Sequence, residues 1–298
     1  MGIILQVEND FNGIRVDRFI GKKLNLTHSI ICKLLRDKKI LVNDKIAKEL
    51  KAKLNSGDSI CVNYSLDISD KPQKEYFVNK KIVDQIRKCI RYEDENLAII
   101  DKPSGLATQS GGSLKYSLDD ISQIIWPGNA RIVHRLDKDT SGLIVIAKNR
   151  LTATKIADAF QNSNVQKEYL AVLHPIPSQN SGTITTNIAE AKTQGKMHKC
   201  ENAQEGKLSI TDYEVLKIDE IRNIALVKFR PKTGRTHQIR LHASHIGCPI
   251  VGDFKYHGNC DLSKDLHLVA YTICIQDITP KIELFAKIPN FFIINNSI

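Results

Sequence analysis

The segment HRLDKDTSG, residues 134–142, contains two acidic residues, two hydroxyl residues and a glycine within nine positions. Oxygen ligands at the first, third and fifth positions and a glycine at the sixth are typical of a calcium loop. Counting from Asp137, the segment satisfies all four of these positions. The twelfth position of such a loop is a bidentate glutamate, but here it is Lys148. A cation at the strongest ligand position argues against calcium.

Asp137 then has two remaining interpretations, a residue that stabilises a turn or a carboxylate that performs chemistry. The apolar segments RIVH (131–134) and LIVIA (143–147) on either side predict strands, so the residues between them form a connection. Aspartate, serine and threonine side chains hydrogen-bond to nearby backbone in such turns, and Gly142 permits a tight bend. A carboxylate in this position can equally act as a nucleophile or a base. The segment alone leaves both interpretations open.

The other groups of potential ligands do not predict a metal or phosphate site. His237, His242 and His245 lie within nine residues, but the glutamate of a zinc-binding HExxH helix is missing. The seven cysteines form no CxxC pair, and their odd number and wide spacing favour free thiols in a reducing cytosol. The SGG segment at 110–112 is too short for a phosphate loop and lacks the lysine that follows one. We therefore expect no metal.

Length and charge favour a protein of one large domain or two that binds an anionic partner. The chain has 298 residues, of which 42% are hydrophobic and 26% charged, as in ordinary globular proteins. Basic residues exceed acidic ones by 43 − 33 = 10, which favours nucleic acid as the partner, although frequent lysine, isoleucine and asparagine make part of this excess compositional. A secretory signal and an apolar run of about 18 residues are both missing, so we expect a cytoplasmic protein that does not enter the membrane.

Three regions follow one another along the chain. A small module at 11–66 combines two amphipathic helical segments, 15–24 and 27–39, with short strands. Residues 67–92 are highly charged and predict a linker with a short helix in its second half. Residues 93–298 predict a larger domain in which strands and helices are interspersed. The predicted fold class is α+β for both domains.

Basic residues are concentrated in the first module. Between residues 23 and 53, nine basic residues accompany three acidic ones. A solvated surface of lysines explains such a cluster without any function, whereas a helix and turn that contact phosphates explain it as a binding surface. We adopt the second interpretation. The residues predicted to bind RNA are Lys33, Arg36, Lys38, Lys39 and Asn43.

The module resembles an S4 RNA-binding domain. The hallmarks of that family are an Arg-x-Asp-x-Phe helix, a serine in the second helix, a Val-Asn turn and a terminal Gly-Asp pair. They are present here as Arg15, Asp17, Phe19, Ser29, Val42-Asn43 and Gly57-Asp58. The family usually begins its second helix with Ser-Arg-Ser, but residues 27–29 are THS, and a mostly neutral histidine weakens one expected phosphate contact.

The whole chain resembles the RNA pseudouridine synthases that act on ribosomal RNA, in the branch that joins an S4 domain to the synthase domain. Four blocks carry the resemblance in order: LAIIDKPSGLATQSGG (97–112), RIVHRLDKDTSGLIVIAKN (131–149), QKEYLAV (166–172) and PKTGRTHQIRLHASHIGCPIVGD (231–253). The HRLDxxTSG pattern is the most specific of them. The resemblance implies a synthase domain of α+β class, with a long, mixed, mainly antiparallel sheet around a central cleft.

The resemblance also implies roles for four residues. Asp137 corresponds to the catalytic carboxylate, which either attacks C1′ of the ribose or removes a ribose proton to give a glycal. Arg235, in the GRTHQIR segment, corresponds to the arginine that pairs with this carboxylate and keeps it ionised. Tyr169 corresponds to the tyrosine that packs on the uracil and serves as, or positions, the base at C5. Arg135 corresponds to the side chain that fills the space left by a flipped uridine.

The implied reaction moves the glycosidic bond of a uridine from N1 to C5 without gain or loss of atoms, so it requires no cofactor. The implied partner is 23S ribosomal RNA or a large-subunit assembly intermediate, and we expect a monomer. KPSGLATQSGG and EGKLSITDYEVL (205–216) resemble the C-type members of the family, which modify three uridines. The alternatives are D-type specificity and a non-catalytic RNA-binding assembly factor, and the intact Asp137, Tyr169 and Arg235 oppose the latter.

Overall fold

The computed structural model describes most of the chain, which divides into two compact units, Met1–Glu75 and Tyr76–Ile298. The described residues are 2–24, 26, 28–63, 78–110, 115–128, 130–190, 197–200, 206–256, 262–276, 282–289 and 292. The side chains of residues 10, 28, 29, 190 and 197–200 lie outside the description, as do residue 27 and residues 67–77 of the predicted linker. No helix within these ranges is long and apolar enough to cross a membrane.

The first unit packs two helices against an antiparallel sheet. Its elements are β1 (Ile3–Gln6), α1 (Val16–Leu24), α2 (His28–Arg36), β2 (Ile40–Val42), β3 (Lys45–Ile46) and β4 (Ser59–Val62). The sheet has the order β1-β4-β2-β3. Both helices are amphipathic, and their apolar faces bury Phe19, Ile20 and Ile31 in one core with Ile40 and Ile60 of the sheet.

The first unit begins earlier than the sequence predicts. β1 pairs antiparallel with β4, from Ile3 opposite Val62 to Gln6 opposite Ser59. The unit therefore extends upstream of the predicted start at residue 11. The pairing joins two strands that are distant in sequence, and local patterns contain no signal for such a contact.

The second unit contains eleven of the described strands and four helices. They are α3 (Lys80–Lys88), β5 (Ile90–Glu93), β6 (Leu97–Lys102), α4 (Leu118–Ile125), β7 (Arg131–Ile132), β8 (Ser141–Ala147), α5 (Arg150–Gln161), β9 (Val165–Leu173), β10 (Ser181–Glu190), β11 (Met197–Cys200), β12 (Lys207–Asp219), β13 (Ile224–Pro231), α6 (Gln238–His245), β14 (Leu268–Ile275) and β15 (Ile282–Phe285).

One long sheet connects these strands. Its order is β11-β10-β12-β13-β9-β14-β8-β6-β5, with β15 paired to β14 and β7 paired to β8. The described pairs are antiparallel except for β14 and β8, which run parallel. This is the mixed, mainly antiparallel sheet that the sequence predicts for the larger domain.

Residues 80–92 belong to this second unit, although the sequence assigned them to the linker. Val83 and Ile86 of α3 are buried, and β5 pairs with β6, with Ile90 opposite Ile100. The short helix predicted in this half of the segment is present as α3, with its charged residues on the exposed face, but its packing against the larger domain was not predicted.

The centre of the sheet positions the HRLDKDTSG segment. Every residue of β8 after Ser141 is buried, as expected of an apolar run covered on both faces. Gly142 has φ 107°, and a Cβ atom at this position would collide with the backbone of Ala270 on β14. A glycine is therefore required where the loop passes into β8 beside its parallel neighbour.

Candidate active site

The loop that carries Asp137 is held by the segment that follows β6. The Thr108 hydroxyl donates to the carbonyl oxygen of Leu136 at 2.7 Å and accepts from the Leu136 amide at 3.1 Å. The Gly105 amide donates to the carbonyl of Lys138 at 3.0 Å. These bonds lie on both sides of Asp137 in the chain and restrict its position.

Lys102, the last residue of β6, strengthens the same attachment from inside the protein. Its side chain is fully buried. The ammonium donates to the carbonyl oxygens of Pro103, Leu106 and Lys138 at 3.0, 2.9 and 3.1 Å. Burial lowers the pKa of Lys102 to about 8, while the negative charges of Asp139 and Asp137 act in the opposite direction. Lys102 therefore places a cation behind the loop.

The arginine that approaches Asp137 is Arg240, on the buried face of α6. Its Nη1 lies 3.5 Å from Oδ2 of Asp137. Its Nε and Nη2 donate to the two carboxylate oxygens of Asp253 at 2.8 and 2.6 Å. Asp253 is buried, so this bidentate pair anchors the guanidinium and leaves Nη1 directed at Asp137.

The predicted pairing of Arg235 with Asp137 is therefore corrected. The Arg235 side chain is exposed and its Nε donates to the carbonyl oxygen of Leu208 at 3.2 Å. The residue precedes α6, and its amide donates to Oε1 of Gln238 at the start of that helix. Both arginines belong to the GRTHQIR segment, but only Arg240 lies on the helix face that turns inward.

Tyr169 lies on β9, between Phe229 of β13 and Ala270 of β14 in the sheet register. Burial and the negative charge of Asp137 both raise the pKa of its phenol well above the ordinary value. The hydroxyl therefore keeps its proton at neutral pH. The structure brings Tyr169 and Asp137 into electrostatic contact, in an environment that favours the neutral phenol.

The structure adds His237, which the sequence analysis considered only as a zinc ligand. Its Nε2 lies 3.6 Å from Oδ1 of Asp137. Its Nδ1 bonds to the hydroxyl of Tyr256. Within the described part of the chain, no three histidine, cysteine, aspartate or glutamate side chains are grouped as metal ligands. Proximity of a histidine to a carboxylate from another block is not visible in a single sequence.

A cavity of about 730 Å³ opens over Asp137. It is within the range of small-molecule sites and suits a single nucleotide. Its lining includes Arg135, which is exposed at the edge of the loop, together with Lys138, Lys255 and Lys264. The lining also includes the carboxylates of Asp137, Asp139 and Asp265, but with Arg240 its cations outnumber them, an arrangement suited to an anionic substrate.

His134, the first residue of the HRLDKDTSG segment, stabilises the packing around β8. Its Nε2 accepts a hydrogen bond from the Val145 amide at 2.9 Å, and its ring stacks on Phe160 with centroids 4.4 Å apart. Burial and the nearby Lys167 lower the pKa of His134 to about 3. The imidazole is therefore neutral at pH 7 and is occupied by a structural bond.

The predicted RNA-binding residues of the first unit divide into two groups. Lys33, Arg36, Lys38 and Lys39 are exposed at the end of α2 and in the following turn, and none forms an ion pair with another described residue. Asn43 instead donates from its amide to Asp58 at 2.9 Å and accepts from the Ser59 amide at 2.9 Å. The side chain of Asn43 therefore joins the Val-Asn turn to the Gly-Asp turn, and its contact with RNA stays a prediction.

Known proteins that are similar to this chain share one family. Residues 96–245 match the sequence profile of the family described as RNA pseudouridylate synthase. Ribosomal large subunit pseudouridine synthase C of Rickettsia felis is 40% identical over 93% of this chain and 94% of its own. The Buchnera aphidicola (subspecies Baizongia pistaciae) protein of the same name is 31% identical over 81% of this chain and 76% of its own.

Solved structures give the same result at the level of the fold. The structure titled human RNA pseudouridylate synthase domain containing 4 is 27% identical, has a TM-score of 0.61, and the match covers 71% of this chain and 93% of that one. The structure titled human RNA pseudouridylate synthase domain containing 1 has a TM-score of 0.57 and is 29% identical. The match covers 66% of this chain and 82% of that one. The sequence profile and the relatives show that this chain belongs to the RNA pseudouridylate synthase family and is an RNA pseudouridine synthase.

Proposed function

We propose that this enzyme isomerises specific uridines of 23S ribosomal RNA to pseudouridine, with Asp137 as the catalytic carboxylate. The observation that carries the proposal is the position of Asp137, a partly exposed carboxylate of the cavity that faces both Arg240 and His237. The names of the curated relatives, which refer to the ribosomal large subunit, support the choice of substrate. The site of action would then be the cytoplasm.

The reaction breaks the bond from N1 of uracil to C1′, turns the base and forms a bond from C5 to C1′. Two routes are compatible with one carboxylate. Asp137 attacks C1′ and is later displaced by C5, or it removes a ribose proton to give a glycal and returns that proton afterwards. In both routes a proton leaves C5 and one is added at N1, so the atoms balance without a cofactor.

The contacts of Asp137 suit either role. Distances of 3.5 Å to Arg240 and 3.6 Å to His237 are longer than ordinary hydrogen bonds, so neither group immobilises the carboxylate lone pairs. Arg240 directs its short bonds to Asp253 instead. Asp137 thus experiences a fixed positive charge and still has oxygen atoms available to the substrate.

The proposed role of Tyr169 is to contact the uracil base. With its pKa raised by burial and by Asp137, the phenol is neutral and would pack on the uracil base of the bound RNA. Asp137 becomes neutral in both routes, by forming an ester or by taking a proton. Removal of this negative charge eliminates the smaller cause of the raised pKa while burial remains, so loss of a proton from Tyr169 costs less after the first step than before it.

RNA binding is assigned to two places. Arg135, exposed at the cavity rim, would occupy the space that a flipped uridine leaves in the stack. The first unit, with its resemblance to an S4 domain and its exposed Lys33, Arg36, Lys38 and Lys39, would bind the RNA backbone. The C-type relatives favour three target uridines, and D-type specificity is the alternative on the same RNA.

A genetic rescue tests the proposal. Pseudouridines are mapped in 23S ribosomal RNA of cells that lack the protein and carry either the wild-type gene or Asp137→Asn. We expect wild type to restore specific sites, three for C-type specificity, and Asp137→Asn to restore none while still binding RNA. Full modification by the variant would refute the role of Asp137, and an unchanged map on deletion would refute the substrate. If the variant restored subunit assembly without pseudouridine, the assembly-factor alternative would gain support.

A further inference from the structure

His237 has an unusual backbone conformation next to Asp137. Its φ and ψ are 55° and 22°, in the left-handed region that residues other than glycine rarely adopt. It is the N-cap of α6, yet its side chain makes no capping hydrogen bond. The imidazole turns away from the helix end and toward Asp137, so the requirements of the helix alone do not explain this conformation.

The Tyr256 hydroxyl is the hydrogen-bond partner of one imidazole nitrogen of His237. It bonds to Nδ1 of His237, and a phenol that donates to Nδ1 leaves the only imidazole N–H on Nε2. Nε2 is the nitrogen that faces Oδ1 of Asp137 at 3.6 Å. Because a carboxylate only accepts hydrogen bonds, this contact assigns the imidazole N–H to Nε2, and the Tyr256 hydroxyl is then the donor to Nδ1.

The charges around His237 keep its ring neutral. Burial lowers its pKa, and the cations Arg240 and Lys255 act in the same direction, whereas Asp137 and Asp253 oppose them. A neutral ring has one donor and one acceptor, which is what the Tyr256 and Asp137 contacts require.

Tyr256 also supports the second group that approaches Asp137. The Cζ atom of Arg240 lies 5.1 Å from the centre of the Tyr256 ring, within range of a cation–π contact. Asp253, the ion-pair partner of Arg240, accepts from the Tyr256 amide at 3.3 Å. One tyrosine thus contacts both side chains that flank the carboxylate.

We propose that His237 is a positioning residue, whose Nε2–H closes onto Oδ1 of Asp137 when RNA binds, and that Tyr256 fixes its tautomer. The present 3.6 Å separation would shorten to hydrogen-bond length, as contacts in unliganded sites commonly do. This inference rests on the proposed role of Asp137. It adds a donor that holds the carboxylate in the orientation needed at the ribose.

Three single variants separate the effect of the side-chain contacts from the effect of the backbone conformation. His237→Asn keeps a residue type that tolerates the left-handed region but is too short to reach Asp137. His237→Gln retains a terminal N–H donor near the position of Nε2. Tyr256→Phe preserves the ring against Arg240 and removes only the hydroxyl.

The measurements are kcat and KM on 23S ribosomal RNA purified from cells that lack the protein, with the unfolding midpoint recorded for each variant. Loss of a hydrogen bond to a charged group predicts a fall in kcat of about 10- to 100-fold for His237→Asn at unchanged KM. We expect partial recovery in His237→Gln and an intermediate fall in Tyr256→Phe. The double variant His237→Asn/Tyr256→Phe should be no slower than His237→Asn, because Tyr256 acts through His237.

Three results would overturn the inference. They are an unchanged kcat in a folded His237→Asn enzyme, an effect of that variant on KM alone, and a kcat of the double variant reduced by the product of the two single reductions. Asp137→Asn, tested on the same RNA, distinguishes this failure from a failure of the proposed function. An active Asp137→Asn enzyme contradicts the catalytic role of Asp137 itself. An inactive Asp137→Asn enzyme beside fully active His237 variants contradicts only the positioning role.

Discussion

The two units use their cations in opposite ways. In the first unit, the cations at the end of α2 and in the following turn are exposed, and none forms an ion pair with another described residue. They are Lys33, Arg36, Lys38 and Lys39. In the second unit, Lys102 is 0% exposed and Arg240 7%, and each makes several short bonds inside the protein. Exposed charges are screened by salt and contribute little to stability, whereas a buried charge depends on its partners.

This difference leads to different expectations for substitution. The exposed set should tolerate changes, with effects that add up gradually and depend on ionic strength. In the buried set, a single substitution should already reduce stability and activity, because removing one partner leaves the other desolvated and unpaired. Comparing stability and activity in both regions tests whether binding and chemistry are divided in this way.

The largest effect is expected at Arg240. Arg240→Met leaves Asp253 buried without its bidentate partner, which typically costs about 3–5 kcal/mol of unfolding free energy. It also removes the cation that faces Asp137, so kcat should fall at least about 100-fold. Trp126, the single tryptophan, lies in the second unit, and its fluorescence during urea unfolding reports the stability of that unit.

Arg235→Met is the matched control for this prediction. It removes an exposed arginine from the same sequence block, and we expect it to change stability by less than about 0.5 kcal/mol. A larger loss of kcat in Arg235→Met than in Arg240→Met would contradict the pairing of Arg240 with Asp137 and restore the assignment made from sequence.

Acid should destabilise the second unit through three buried histidines. Burial lowers the pKa of His134 to about 3 and those of His242 and His267 to about 4. Below about pH 6.5 the unfolded chain takes up protons at these positions and the folded chain does not, so stability falls with pH until about pH 4. Between pH 7 and pH 5.5 the three together should remove roughly 4 kcal/mol.

Urea titrations at the two pH values, followed by Trp126 fluorescence, measure this loss. His242→Gln replaces one of the three groups by a neutral side chain, so the difference between the two pH values should shrink by about one third. A loss below about 1 kcal/mol in the wild-type protein would mean that the histidines are protonated in the folded state.

Much of the fold around the site follows from local patterns. The apolar run 143–147 and the glycine before it predict β8 almost to its observed bounds, Ser141–Ala147, because a buried strand and a required glycine both leave clear signals. The long, mixed, mainly antiparallel sheet was implied by the resemblance and is present in the structure, whereas its strand order was not predicted. β1 was missed because its pairing is not local.

The details of the site were harder to predict for a physical reason. The sequence indicates two arginines in one block, and their environments depend on where α6 begins. The helix starts at Gln238, after the left-handed His237, and this start places Arg240 on the buried face. No local rule predicts a left-handed histidine, so the arginine assignment was wrong and His237 was not identified.

The smallest effect on stability and the clearest effect of salt are expected in the first unit. The test variant combines Lys33→Gln, Arg36→Gln, Lys38→Asn and Lys39→Gln, with asparagine at position 38 because Lys38 has φ 55°. If all four contact phosphates, the slope of log affinity against log salt should fall by about 3, since each contact contributes roughly 0.7–0.9. Affinity is measured by filter binding across a salt series.

A control variant that loses the same charge from another surface separates the effect of a binding surface from the effect of net charge. A variant with glutamine at Lys80, Lys81, Arg87 and Lys88, all exposed on α3, loses the same four charges. We expect it to retain most of the salt slope, and we expect both variants to keep kcat at saturating RNA, because neither touches the residues around Asp137. Equal loss of slope in the two variants would mean that the lysines of the first unit act only through total charge, as a solvated surface would. A loss of kcat in the first variant would instead contradict the division between an exposed binding surface and a buried catalytic set.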